Sequence, residues 1–219
     1  MTFWIVSLTG WMLAYILGSI PTAYLAGRLY RLDIRRYGSG SVGATNALRV
    51  LGKWPALGVL IIDVLKGVAA VVLVREISVW FLASSIAAPA TLDQQAWPSW
   101  AASLGAGAAL LGHSRSIWLG FGGGKSVATG LGVLLALAWP VALGALAVFA
   151  ITLAVSRIVS LGSILAALTA MLLVVILQQP LPHQLIVFAG GLYVVVRHRA
   201  NFGRLLNGTE PQFGRVAGD

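Results

Sequence analysis

The stretch RRYGSGSVGATNALRVLGK, Arg35 to Lys53, decides between two folds. Its glycines Gly38, Gly40 and Gly43 spell G-x-G-x-x-G, and Asp63 follows about twenty residues on, where a dinucleotide-binding domain keeps an acid for ribose. That reading needs a buried strand before the glycines and a helix on a parallel sheet after them. The flanks supply neither. Phe3 to Ala26 is apolar and long enough to cross a bilayer, and Asp63 lies within GVLIIDVLKGVAAVV, Gly58 to Val72, inside a second apolar span. The glycines therefore belong to a loop between membrane helices.

Composition agrees. The chain has 219 residues, of which 58% are hydrophobic and only 10% charged. A soluble domain of this size cannot hide so much apolar surface, so lipid is part of its solvent. Fifteen Lys and Arg oppose six acids. In a polytopic protein that excess belongs in cytoplasmic loops, facing anionic headgroups or anionic substrates. No soluble domain is left over to bind nucleic acid. The lack of cysteine excludes disulfides and thiolate chemistry. No Lys or Arg precedes Arg28, so the basic start of a cleaved signal peptide is missing and the first apolar segment is expected to remain as a helix.

Further apolar segments are Trp54 to Val74, a short piece from Val79 to Ala90, Trp100 to Leu111, Leu131 to Val155, Val159 to Leu177 and Gln184 to Val196. Pro21, in the GSIP element from Gly18 to Pro21, is expected to kink the first span. The basic loop Arg28–Lys53 and the tail Arg197–Arg215 both belong in the cytoplasm by the positive-inside rule. Dividing Leu131–Val155 near Pro140 satisfies that parity and also places Arg157 inside. The expectation is an all-α integral membrane protein of about seven transmembrane helices, several of them short, with the N-terminus outside and the C-terminus cytoplasmic. Residues 1–219 read as a single polytopic domain with three cytoplasmic polar motifs at 35–53, 112–130 and 197–210.

Two other decoys fail. GGGKS resembles the end of a phosphate-binding P-loop, but the glycine that loop requires is Leu119 here. The H-x-x-x-x-D signature of soluble-headed glycerolipid acyltransferases also fails, because Trp118, Phe188 and Gly203 stand where its Asp belongs.

The three polar inserts are expected on one side of the membrane. Glycine-rich backbone at Gly38, Gly40, Gly43, Gly123 and Gly124 can wrap an anion in tight turns. Ser39, Thr45, Asn46, Thr129 and Asn201 add neutral donors, Lys125 a mobile cation, and Arg49 a fork matched to phosphate oxygens. Glycines between membrane helices also serve close packing alone, and loop cations also set orientation. Three inserts with donors beside glycines favour the phosphate-binding reading, with a transporter of a phosphorylated metabolite as the alternative. The few charged groups in the expected outer loops offer little for a second gate. Asp63 and Lys66, three apart on one helix face, read as a structural ion pair. Ser160, beside Arg157, is placed near the same surface, and His113 reads as a helix-end cap. His198 and Asn201, as H-x-x-N, share a face and are candidates for direct contact.

GSGSVGATNALRVLGK, GHSRSIWLGFGGGKSVATG and RHRANFGRLLNGTE together resemble the three cytoplasmic motifs of the bacterial acyl-phosphate:glycerol-3-phosphate acyltransferases, the PlsY family. With GSIP, D-x-x-K-G and IVSLGS, the likeness runs from Gly18 to Glu210. The resemblance implies an enzyme of the bacterial cytoplasmic membrane. It would transfer a fatty acyl group from acyl phosphate to the 1-hydroxyl of glycerol 3-phosphate, with lysophosphatidic acid and phosphate as products. It carries catalytic roles onto Ser39, Arg49, Lys125, His198 and Asn201 and a structural one onto Glu210. It implies no metal and no cofactor, membrane lipid as surroundings, and functional coupling to an acyl-phosphate-producing enzyme. The chain departs from the family motifs at Ser41 (Asn in the family), at Arg115-Ser116 (aromatic-Pro) and at Ser126 (Gly).

An acyl phosphate is a mixed anhydride with a good leaving group, so position and charge are what the protein must supply. Arg49 and Lys125 are expected to do most of this, with Ser39, His198 and Asn201 holding the acyl phosphate. The proton of the attacking hydroxyl goes to the substrate's own phosphate or to His198 as general base.

Overall fold

A computed structural model describes residues 1–84 and 88–213. All their regular structure is helical, apart from a lone bridge between Ser116 and Gly122. The chain forms two compact units, Met1–Leu137 and Ala138–Asp219. Unit 1 holds α1 (Thr2–Ser19), α2 (Thr22–Leu29), α3 (Ala44–Leu51), α4 (Lys53–Ala83), α5 (Trp97–Ser114) and α6 (Val127–Leu137). Unit 2 holds α7 (Trp139–Ser156), α8 (Val159–Ile176), α9 (Leu181–Arg197) and α10 (Arg199–Leu206).

Among the described residues, four segments are long and apolar enough to span a bilayer: Thr2–Leu29, Lys53–Ala83, Trp139–Ser156 and Val159–Ile176. Helices α6 and α9 are apolar but shorter. On α4 the polarity is inverted relative to a soluble helix. Leu60, Ile61 and Ile62 lie on the outside, whereas Asp63 and Lys66 are 1% and 5% exposed. This is the arrangement that a hydrocarbon solvent selects, because it tolerates alkyl surface and not charge.

Pro21 does more than kink the first span. Helix α1 stops at Ser19 and α2 restarts at Thr22, since proline offers no N–H to continue the ladder. The Val79–Ala90 expectation is corrected over its described part. Val79 to Ala83 forms the end of α4, which runs unbroken through Arg75 and Glu76. Those two charges pair with each other at 3.0 Å on an exposed face, so neither interrupts the helix. Residues 85–87 of that piece, and the tail from 214 on, lie outside the described residues. Leu131–Val155 divides at Ala138, and Pro140 sits in the first turn of α7, where its missing N–H costs nothing.

Small residues set the spacing of the helices. A Cβ on Gly18 would collide with the backbone of Ala109, and one on Gly112 with the carbonyl of Tyr15, so α1 and α5 touch main chain to main chain. Helices α4 and α6 do the same, Gly67 against the Thr129 carbonyl and Gly132 against that of Val64. One end of unit 1 is sealed by Phe3, Phe81 and Trp97, with ring centroids 5.0–5.5 Å apart about Phe3. In unit 2, Arg157 takes a left-handed turn (φ 58°) between α7 and α8. Its carbonyl accepts the N–H of Phe213, which returns the tail to that turn.

Candidate active site

The first motif is a glycine loop that runs into the N-terminus of α3. Gly38 and Gly40 are left-handed, at φ 59° and 69°. Asn46, one turn into α3 and 1% exposed, reaches back into the loop. Its Oδ1 accepts the N–H of Ser39 at 2.9 Å, and its Nδ2 donates to the carbonyls of Ile34 and Tyr37 at 3.2 and 3.1 Å. A Cβ on Gly38 would strike that Oδ1, so glycine is required there for space as well as for φ. Asn46 thus shapes the loop with both amide donors committed to backbone.

Ser39 is exposed, as is Arg49 in the last turn of α3. Thr45 and Arg49 lie four apart and share a face. Not every cation of this loop is available to a substrate. Arg35 is held by Asp33 at 2.7 Å and lies 4.9 Å from the ring centroid of Tyr24. The guanidinium of Arg35 in turn holds the Asp33 carboxyl down at about 2.

The second motif leads from the end of α5 to the start of α6. Gly123 and Gly124 are pressed against α5: a Cβ on either would meet the backbone of His113 and Ser114 or the His113 ring. The N–H of Gly124 donates to the His113 carbonyl at 3.1 Å. Lys125 follows at once and is half-buried. Ser126, where the family motif has glycine, is left-handed at φ 61° and keeps the glycine-like path of the loop. Its hydroxyl donates to the Leu110 carbonyl at 3.0 Å, which offsets that conformation. Thr129 is fully buried in α6, with its carbonyl against Gly67.

The first two motifs adjoin. Leu119 of the second packs on the cluster of Ala23, Ile34, Val42, Ala47, Ala56 and Val59 that carries the first. Two helix N-termini, each preceded by a glycine loop, therefore belong to one unit, with Lys125 just before α6 and Arg49 in the last turn of α3. Such ends present unpaired N–H groups and a positive dipole to an anion.

The break at Pro21 leaves carbonyls that other segments capture. Lys66 Nζ donates to the Ile20 carbonyl at 2.9 Å and pairs with Asp63 Oδ1 at 2.8 Å. Thr22 Oγ1 donates to the same oxygen at 2.9 Å, and His113 Nδ1 lies 3.7 Å from it. Ser116 Oγ donates to the Ser19 carbonyl at 2.6 Å. Sequence reasoning missed Thr22 and Ser116. The signal was the proline itself, because a broken helix in lipid must find donors for its freed carbonyls.

In unit 2, His198 lies between α9 and α10, 3% exposed. Its Nδ1 lies 2.7 Å from the Val194 carbonyl, and a carbonyl only accepts, so Nδ1 carries a proton. In a neutral ring Nε2 is then the acceptor. Asn201 Nδ2 donates to Glu210 Oε1 at 2.6 Å, and Ser160 Oγ donates to the same oxygen at 2.8 Å. Arg204 Nε donates to Oε2 at 2.7 Å. Burial raises the pKa of Glu210, but these donors outweigh it and leave the carboxyl below its ordinary value.

A family model described as glycerol-3-phosphate acyltransferase matches residues 8–208, which takes in the first two motifs and most of the third, ending two residues before Glu210. The chain belongs to this family. It is 61% identical over 219 residues to glycerol-3-phosphate acyltransferase 2 of Rhizobium johnstonii, covering 99% of this chain and 100% of that one. It is 54% identical over 205 residues to the glycerol-3-phosphate acyltransferase of Trichormus variabilis, covering 93% and 90%. Among solved structures it resembles PlsY, an integral membrane glycerol 3-phosphate acyltransferase, in the glycerol 3-phosphate form. That likeness has a TM-score of 0.81 at 34% identity and covers 95% of this chain and 96% of that one. This chain and that structure therefore share a helical architecture across nearly their whole length.

Proposed function

We propose that the protein transfers a fatty acyl group from acyl phosphate to the 1-hydroxyl of glycerol 3-phosphate. The hydroxyl oxygen bonds to the acyl carbon and the bond from that carbon to the phosphate oxygen breaks. Lysophosphatidic acid and inorganic phosphate leave, and the hydroxyl proton passes to the departing phosphate. The observation that carries this reading is the pair of adjoining glycine loops in unit 1, each leading into a helix N-terminus, with Lys125 just before α6 and Arg49 in the last turn of α3, in a chain of this family.

Arg49 and Lys125 neutralise the phosphates as they approach, and the backbone at Gly38, Gly40, Gly43, Gly123 and Gly124 forms the anion cradles. Ser39 and Thr45 donate from the first loop, and Asn46 keeps that loop in shape. Thr129 supports the second loop from α6. His198 and Asn201 engage the acyl phosphate, with Ser160 and Glu210 holding Asn201 in orientation. The mixed anhydride is already activated, so no metal or cofactor enters this scheme.

The same reading makes residues 1–219 one membrane domain of about seven crossings, with the N-terminus outside and the three motifs cytoplasmic. Its location is the bacterial cytoplasmic membrane, beside an enzyme that supplies acyl phosphate. The deciding experiment is phosphate release from a synthetic acyl phosphate by the detergent-solubilised protein, with and without glycerol 3-phosphate. Release that requires glycerol 3-phosphate and is lost in Lys125→Ala supports the transferase. No release, with glycerol 3-phosphate crossing reconstituted vesicles instead, would replace it with a transporter.

A further inference from the structure

One carboxylate oxygen in unit 1 ties together elements that are far apart in sequence. Asp63 Oδ1 takes Lys66 from its own helix and Thr22 from the start of α2, and it faces His113 near the end of α5. Asp63 Oδ2 is buried and has no hydrogen-bond partner among the described residues. All of these side chains lie inside the protein: Asp63 is 1% exposed, Lys66 5%, Thr22 7% and His113 7%.

A structural pair alone does not need this arrangement. A buried ion pair of this kind is typically replaceable by apolar side chains of equal volume with little loss of stability. Lys66 donates to the Ile20 carbonyl, which also takes the Thr22 N–H, and Asp63 balances its charge, yet neither task requires a histidine beside the carboxylate. His113 is also the residue on which the second motif is moulded. Its ring and carbonyl form the surface against which Gly124 lies, and Lys125 is the next residue.

We propose that Asp63 is a positioning residue for the reaction: by orienting His113, it sets the path of the Gly123–Gly124 backbone and thereby the place of the Lys125 ammonium. The inference rests on the phosphate-binding role given to Lys125 above. The loop rests on His113, and His113 faces a carboxylate that is itself held by Lys66 of α4 and Thr22 of α2. Small displacements of a charged group carry large kinetic penalties, roughly a hundredfold for about 1 Å.

Two variants test this in detergent, Asp63→Leu/Lys66→Met, which replaces the pair by apolar groups of similar size, and His113→Leu, which leaves the pair intact. Melting temperature, kcat, KM for both substrates and inhibition by inorganic phosphate are measured for each. The expected result is a melting temperature within about 4 °C of the parent. In both variants kcat/KM is expected to fall roughly ten- to a hundredfold, with phosphate inhibition weakened in proportion. Folded variants with parental kinetics would overturn the proposal. So would a loss of kcat with phosphate inhibition unchanged, which would separate Asp63 from the Lys125 loop. If the pair replacement does not fold, His113→Leu decides alone. A parent protein that releases no phosphate in the presence of glycerol 3-phosphate would instead refute the transferase reading beneath it.

Discussion

Glu210 stands fifty residues beyond Ser160 and nine beyond Asn201, yet a single oxygen, Oε1, accepts from both, at 2.8 and 2.6 Å. Its other oxygen takes Arg204 at 2.7 Å. The carboxylate thus closes the polar tail onto the start of α8 and fixes which way the Asn201 amide faces. Replacing it by Ala leaves two buried donors without an acceptor, at a cost of about 2–4 kcal/mol. Glu210→Gln retains an acceptor oxygen and should lose about half as much. Thermal unfolding in detergent measures both, and equal losses for Ala and Gln would contradict the clasp.

The same carboxylate makes stability depend on pH. Its pKa is lowered in the folded protein, so its contribution is fully present above the ordinary glutamate value of about 4.3. It disappears as pH falls through the folded value. The melting-temperature gap between parent and Glu210→Gln should therefore be constant from about pH 5 to 7 and shrink below about pH 4. A gap that widened on acidification would show the sign to be wrong.

Lys125→Ala should lower kcat/KM for phosphate release by roughly 10²–10³, the size of effect seen when one preorganised charge donor is removed from a transition state. Lys125→Arg keeps the charge but not its compact geometry and should recover only part of the loss. Full activity in Lys125→Ala would remove this residue from the site.

Ser126 carries two opposed terms. Its left-handed φ of 61° costs about 1 kcal/mol, and the bond from its hydroxyl to Leu110 returns about the same. Ser126→Gly should therefore stay within about 1 kcal/mol of the parent and keep its activity. Ser126→Val loses the bond and forces a branched side chain into that conformation, at about 2–3 kcal/mol. Unfolding midpoints of the two variants, taken side by side, check the balance.

His198 separates two routes for the proton. If the departing phosphate takes it, His198→Gln should keep kcat within about tenfold of the parent, the loss showing mainly in KM. General-base catalysis by Nε2 would cost roughly 10²–10⁴ in kcat. Single-turnover acyl transfer with purified substrates distinguishes the two.

The sequence by itself determined the solvent, the helical class and the places where polar chemistry enters. Hydropathy is summed over neighbours in the chain, so apolar spans, the division near Pro140 and the three glycine-rich inserts are all local signals. The pairing of Asp63 with Lys66 was legible for the same reason, because a spacing of three on a helix puts both on one face. The extent of α4 past Val74 was not. Whether Arg75 and Glu76 end a helix or ride through it depends on their pairing on an exposed face.

Only the tertiary structure decided which polar groups face one another. Asn46 is a loop clip because the turn at Gly38 brings Ser39 back onto α3. Thr22 and His113 meet Asp63 because the chain breaks at Pro21 and because Gly18 and Gly112 let α1 and α5 touch. Burial in lipid-facing helices leaves each such group no water to turn to. Its partner must therefore come from wherever the fold delivers one, at separations in sequence that no local pattern records.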